Sequence, residues 1–101
     1  MAQASLAVAQ HALRGLRDAK ALLLRPGVDW EEAKERFMVV GVERLVHPAR
    51  RGYAPEAWVD WFRSTRDRVQ TREGLIAVLD EGIALAEAAV LEAQQAAEVG
   101  A

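Results

Sequence analysis

Few residues of this 101-residue chain have the types and spacing that catalysis or metal binding requires. Cysteine is absent, which excludes thiolate metal ligands, thiol nucleophiles and disulfides. His11 and His47 are the only histidines, and neither belongs to a set of residues at metal-ligand spacing. Ser5 and Ser64 form no recognised catalytic motif with a histidine, and there is no glycine-rich phosphate loop. The sequence therefore predicts a non-enzymatic protein without catalytic residues, a metal ion or a cofactor.

The segment Arg44-Leu45-Val46-His47 resembles the paired arginine and histidine of the HEPN family of helical-bundle ribonucleases and nucleotide-binding proteins. Fewer residues separate the arginine from the histidine here than in the family pattern. Because the resemblance covers these residues alone, no nuclease activity is carried over from it. We interpret His47 instead as a helix-end residue that interacts with the helix dipole.

An arginine-rich segment is a candidate phosphate-binding site. Six arginines lie within residues 50–72, and nearby aromatic residues could stack on bases. The candidate phosphate ligands are Arg50, Arg51, Arg63 and Arg66. Local acids such as Asp67 can neutralise them, and a net charge of −2 with a pI near 5.7 is unlike a nucleic-acid-binding domain. We therefore favour a solvated, internally paired face, with a nucleic-acid-associated regulator as the alternative function.

Aromatic residues form a second candidate site, for a protein partner. Trp58, Trp61 and Phe62 lie close together in the sequence, and Tyr53 precedes them. Trp58 and Phe62 fall on the predicted core face, whereas Trp61 lies one step away from it. Since tryptophan and tyrosine are frequent at interface hot spots, we predict that Tyr53 and Trp61 contact a partner.

Helical periodicity dominates the first half of the chain. A stripe with spacings of three and four runs through residues 3–24, until Pro26 and Gly27 break the helix. Its members are Leu6, Ala9, Leu13, Leu16, Lys20 and Leu23. A second helix over 29–46 begins with a capping box formed by Asp29 and Glu32, and His47-Pro48 ends it. Residues 37–42 could instead form a short buried strand. No second strand is predicted to pair with it, so we favour a helix.

The last predicted helix covers residues 55–98 and has an apolar heptad pattern along most of its length. Thr65 and Arg72 are polar at consecutive positions of this seam, and Gly74 follows. A kink or a break near 70–74 is therefore about as consistent with the sequence as one continuous helix. The fold class is all-α: a single domain, 1–101, built as a three- or four-helix bundle or helical hairpin with a long C-terminal helix.

The charge pattern predicts that the first and last helices pack together. Arg14, Arg17 and Lys20 flank the first helix, whereas Glu73, Asp80 and Glu87 recur at seven-residue intervals on the last. The apolar seam of the last helix is longer than the second helix can cover. The seam residues assigned to a partner are Ile76, Ile83 and Val90.

These patterns favour a small protein–protein interaction module, an adaptor, assembly or regulatory protein that acts through helix–helix packing. A homo-oligomer is expected, with a two-fold dimer the commonest arrangement. No run of 18 apolar residues or secretory signal is recognised, so a membrane location is not expected and the cytoplasm is predicted.

Overall fold

The structure, a computed structural model, describes the backbone of residues 3–100 and the side chains of residues 3–98. Residues 3–100 are 78% helix and contain no strand. The helices are α1 (Leu6–Leu23), α2 (Trp30–Gly41), α3 (His47–Arg50), α4 (Glu56–Ser64) and α5 (Arg72–Gly100), with a π-helical turn (Val42–Val46) between α2 and α3. The predicted all-α bundle with a long C-terminal helix is thus confirmed. Residues 1, 2 and 101 of the predicted domain lie outside the described residues.

α1 is shorter than the predicted helix over 3–24, because its N-terminal cap lies at Ser5. The hydroxyl of Ser5 accepts a hydrogen bond from the Val8 N–H at 3.2 Å, which satisfies one of the free amides of the first turn. After Leu23 the chain turns at Pro26 and Gly27, and Gly27 has a φ of 78° that favours glycine.

The second predicted helix does not end at His47-Pro48. Its start is close to the prediction, although the Asp29 carboxylate accepts a hydrogen bond from the Glu31 N–H rather than from the Glu32 N–H that the capping box predicts. A proline inside a helix lacks a donor and crowds the carbonyl four residues earlier. Here the π-helical turn, in which the His47 N–H bonds to the Val42 carbonyl, widens the helix immediately before Pro48. The chain therefore remains helical through α3.

The predicted helix over 55–98 is two helices, and the break comes before Gly74. α4 ends at Ser64, and the buried Thr65 hydroxyl donates to the Phe62 carbonyl at 2.7 Å. Thr71 caps α5 by accepting from the Gly74 N–H at 3.0 Å. A Cβ at Gly74 would collide with the Arg68 carbonyl, so glycine permits the close turn at the start of α5. Gly74 belongs to the first turn of that helix.

α1 lies between the other long elements and packs against both α2 and α5. It is antiparallel to α5, because Lys20 pairs with Asp80 whereas Arg17, earlier in α1, pairs with Glu87, later in α5. It is antiparallel to α2 as well, because the start of α2 lies beside Leu22 and the turn after α2 contacts the His11 carbonyl through Arg44. The larger fully buried apolar side chains come from every long helix and from the turn before α5. They are Leu16, Leu23, Phe37, Val59, Val69, Leu75, Val78 and Leu79.

Candidate interaction surface

The sequence-predicted partner residues are exposed to different extents in the structure. Tyr53 is 61% exposed in the loop before α4. Ile76, Ile83 and Val90 are half-buried and pack against the hydrophobic core of their own chain. Much of their apolar surface is therefore already used within the fold, and they are not the large exposed apolar residues of α5.

Trp61 is held in place by α2 and α5. Its ring meets the Phe37 ring edge-to-face, with centroids 6.3 Å apart. A Cβ at Gly82 would lie 2.6 Å from the tip of the indole, so this glycine lets the ring approach α5 closely. The indole remains half-exposed. The indole of Trp61 is therefore a partly exposed side chain whose position is fixed by contacts within the chain.

A polar network fixes the edge of Trp61. The Glu81 carboxylate accepts from the indole N–H at 3.3 Å and from both terminal nitrogens of Arg68, one of them at 2.8 Å. The hydrogen bonds from Arg68 and then from Trp61 lower the pKa of Glu81 to about 2. Glu81 is therefore ionised at neutral pH, and it connects α5 to α4 and to the turn that follows α4.

The outer side of α5 carries an apolar groove beside Trp61. The groove has a volume of about 370 Å³, and it is lined by Trp61, Glu81, Ala84, Leu85 and Ala88. Leu91 lies beyond it on the same helix and is 55% exposed, compared with 39% for Leu85. We call Trp61, Ala84, Leu85, Ala88 and Leu91 the α5 surface.

Sequence reasoning missed Leu85 and Leu91 because they lie off the heptad seam. The exposed residues of α5 are mostly polar residues and alanines, so a leucine among them has no partner within a two-helix packing scheme. Two leucines among the polar residues and alanines outside the seam were the signal that could have found this surface.

Ion pairs lie along the side of α5 that faces α1. Lys20 pairs with Asp80 at 2.5 Å, and Arg17 pairs with Glu87 at 3.5 Å. The predicted packing of the first helix on the last, with basic residues facing acidic ones, is therefore confirmed. These side chains are largely exposed, so each pair contributes only about 0–1 kcal/mol and serves mainly to fix the orientation of the helices.

The candidate phosphate ligands lie at two places. Arg50 and Arg51 are exposed at the end of α3, whereas Arg63 and Arg66 line a groove of about 470 Å³ between α2 and α4. Met38, Phe62 and Thr65 form the rest of this groove. The local pairing expected with Asp67 is wrong: among the described residues Arg68 alone of this arginine run forms an ion pair, and its partner is Glu81.

A second apolar patch lies on the outer side of α2 and the π-helical turn. Val39 is 51% exposed, and Met38 and Val42 are each 38% exposed. Met38 also lines the groove that contains Arg63 and Arg66, so the patch and the two arginines are contiguous. We call these five residues the α2 surface. It combines apolar side chains with two cations that have no acidic partner among the described residues.

Arg44 has a structural partner. Its guanidinium donates to the His11 carbonyl of α1 at 2.8 Å, and Gly15 leaves the space for its side chain. A Cβ at Gly15 would lie 2.7 Å from Cδ of Arg44. His47, the other member of the Arg44–His47 pair, is exposed. Arg44 therefore joins the π-helical turn to α1.

No group of three or more histidine, aspartate or glutamate side chains in the described part of the chain is arranged to hold a metal ion. None of the helices in the described range is long and apolar enough to cross a membrane. Comparison with protein-family models, curated proteins and solved structures finds no match to this chain. The function proposed below is therefore argued from the geometry of the surfaces described above.

Proposed function

We propose that the chain is a small, non-enzymatic protein–protein interaction module that self-associates through helix packing, with a dimer as its basic unit. The observation that carries this proposal is the α5 surface, where Leu85 and Leu91 are exposed on an alanine-rich helix beside Trp61. Large apolar side chains grouped on one face gain stability when another protein covers them. The Trp61 side chain is already fixed within the chain, so it would lose little conformational entropy when a partner binds to it.

The alanines of this surface suit a helix as the partner. Ala84 and Ala88 are one turn apart, which lets a second helix approach the α5 backbone closely. Leu85 and Leu91 then provide the larger side chains that fill the space on either side. An apolar helix laid into a groove is a recurrent mode of recognition.

Light scattering coupled to size-exclusion chromatography tests this proposal over a series of concentrations. We expect a dimer for the wild type and a monomer for the L85Q/L91Q double variant. Fully burying a leucine contributes about 1.5–3 kcal/mol, and about half of each side chain is exposed here, which leaves ~1 kcal/mol per leucine. With two leucines in each of two copies, the loss is ~4 kcal/mol, a roughly thousandfold weaker dimer.

The matched control is L24Q. Leu24 is 54% exposed at the C-terminus of α1, about as much as Leu91, so its replacement removes a comparable leucine from another part of the molecule. This variant should remain dimeric, and circular dichroism should show unchanged helix content for all three proteins. A wild type that stays monomeric at the highest concentration would reject self-association, as would equal dimerisation of the wild type and L85Q/L91Q.

The second candidate function is a nucleic-acid-associated regulator. Two observations favour it: Arg63 and Arg66 share a groove, and neither pairs with an acid among the described residues. Binding to phosphates weakens steeply as salt rises. Nucleic acid that co-elutes at low salt, dissociates at high salt and is lost in R63E/R66E would support this candidate over the first.

A further inference from the structure

We propose that the self-association contact joins the α5 surface of one copy to the α2 surface of a second copy, in a closed two-fold dimer. This inference rests on the proposed function, and it identifies the two faces that meet. Both surfaces are apolar at their centres, with Leu85 and Leu91 on one and Met38, Val39 and Val42 on the other.

The charges of the two surfaces are opposite. Residues 73–101 contain six acids and no base. Asp80, Glu81 and Glu87 are paired within the chain, whereas Glu92 and Glu98 form no ion pair with a described cation. Glu92 follows Leu85 by seven residues, and Glu98 follows Leu91 by seven, so each acid lies on the same side of α5 as its leucine.

The α2 surface carries the corresponding positive charges. Arg63 and Arg66 border Met38 and have no acidic partner among the described residues. The acids Glu31 and Glu35 lie on the N-terminal side of Met38, in a neighbouring groove that Lys34, Met38 and Val39 also line. The positive end of the α2 surface is thus the end next to α4.

The same charges argue against pairing α5 with α5. A parallel contact of this kind would bring Glu92 and Glu98 of the two copies together, which is unfavourable because the charges are alike. An antiparallel contact would offer these two acids a single cation of α5, Arg72 at the start of the helix. Contact with the α2 surface instead places these acids near Arg63 and Arg66 of the other copy. Charge complementarity therefore selects the second arrangement.

The position of α4 allows the dimer to close. This helix provides Trp61 to the α5 surface and Arg63 to the α2 surface, so it lies between the two. A two-fold axis near α4 would form both contacts at once, each α5 surface against the α2 surface of the other copy. Two identical contacts that satisfy both surfaces stop association at the dimer.

Charge reversal and its rescue test this arrangement by light scattering and sedimentation equilibrium. R63E/R66E and E92K/E98K should each weaken the dimer by about tenfold or more, because like charges then face one another in both contacts. The quadruple variant R63E/R66E/E92K/E98K should recover the wild-type dimer. An equimolar mixture of the two double variants should also recover it. In the mixed dimer, one contact pairs the native acids with the native arginines, and the other pairs the introduced lysines with the introduced glutamates.

The control R14E/R25E reverses two exposed arginines that lie in neither surface, and it should dimerise like the wild type. All the replaced side chains are exposed, so each variant should keep its helix content. A wild-type dimer that neither double variant weakens would overturn this inference while leaving the proposed self-association intact. Failure of both the quadruple variant and the mixture to recover the dimer would overturn it as well. A monomeric wild type would reject both proposals together.

Discussion

Replacing Gly41 by alanine tests a close packing contact between α2 and α4. Gly41 ends α2, and the Phe62 ring of α4 lies directly on its backbone. An added Cβ would be 2.6 Å from Cδ1 of Phe62 and nearer still to two other ring carbons. Ordinary carbon–carbon contacts lie at about 3.5–4.0 Å, so the ring has to move by roughly 1 Å or more.

The structure indicates how large the destabilisation should be. Phe62 is 8% exposed, and its ring centroid is 5.5 Å from that of Phe37, so it has little freedom to move. Overpacking of this kind costs up to ~3 kcal/mol, whereas alanine gains ~1 kcal/mol over glycine in a helix. The net loss should be ~2 kcal/mol, which corresponds to a melting temperature lower by about 8–16 °C for a domain of this size.

Urea unfolding followed by circular dichroism measures this loss, and F62L provides the control background. Leucine lacks the ring that meets the new methyl group, so G41A should be neutral or slightly stabilising in F62L. The coupling free energy of the double-mutant cycle should be ~2–3 kcal/mol. If G41A stabilised the wild type, or cost the same in both backgrounds, the packing of Phe62 on Gly41 would be wrong.

Two further predictions concern charged contacts. Because the folded pKa of Glu81 is about 2, below its ordinary value of 4.5, its contribution to stability is present above pH 4.5 and is lost as the pH falls from 4.5 to 2. Unfolding free energy measured across this range should therefore fall less steeply for E81Q than for the wild type, and parallel curves would contradict the Arg68–Glu81 contact. D80K/E87K should destabilise the fold by about 1–2 kcal/mol, since each exposed pair contributes at most ~1 kcal/mol and is replaced by repulsion from Lys20 and Arg17. The deficit should shrink at high salt, and a loss that is independent of salt would point to packing instead of charge.

The local sequence pattern was sufficient to predict the fold class and the packing of α1 against α5. The three- and four-residue spacing of the stripe from Leu6 to Leu23 places its residues on one face of α1, and Leu16 and Leu23 are fully buried there. The basic side of α1 and the acidic side of α5 likewise predicted that the two helices pack together, because the charges repeat along exposed helix sides. Both are properties of a helix that depend on sequence neighbours.

The breaks and continuations of helices depended on contacts between distant residues. Pro48 predicted the end of a helix, yet the π-helical turn carries the chain past it, and Arg44 joins that turn to the His11 carbonyl of α1. The sequence left open whether the last helix breaks near 70–74; the structure has a break between α4 and α5, and Gly74 lies in the first turn of α5, where a Cβ would meet the Arg68 carbonyl. The contact between Arg44 and α1 is not visible in a local pattern.

The α5 surface was also predictable from the sequence only in part. The sequence alone determined that α5 is apolar over more of its length than one neighbouring helix can cover, since hydrophobic periodicity is local. Only the tertiary structure decided which residues remain exposed: Ile76, Ile83 and Val90 are partly covered by the core, and Leu85 and Leu91 are left at the surface. It also decided that Glu81 pairs with Arg68 while Arg63 and Arg66 find no acid among the described residues. The physical reason is that the exposure and charge pairing of a side chain depend on which helices lie beside it, and these helices are distant in the sequence.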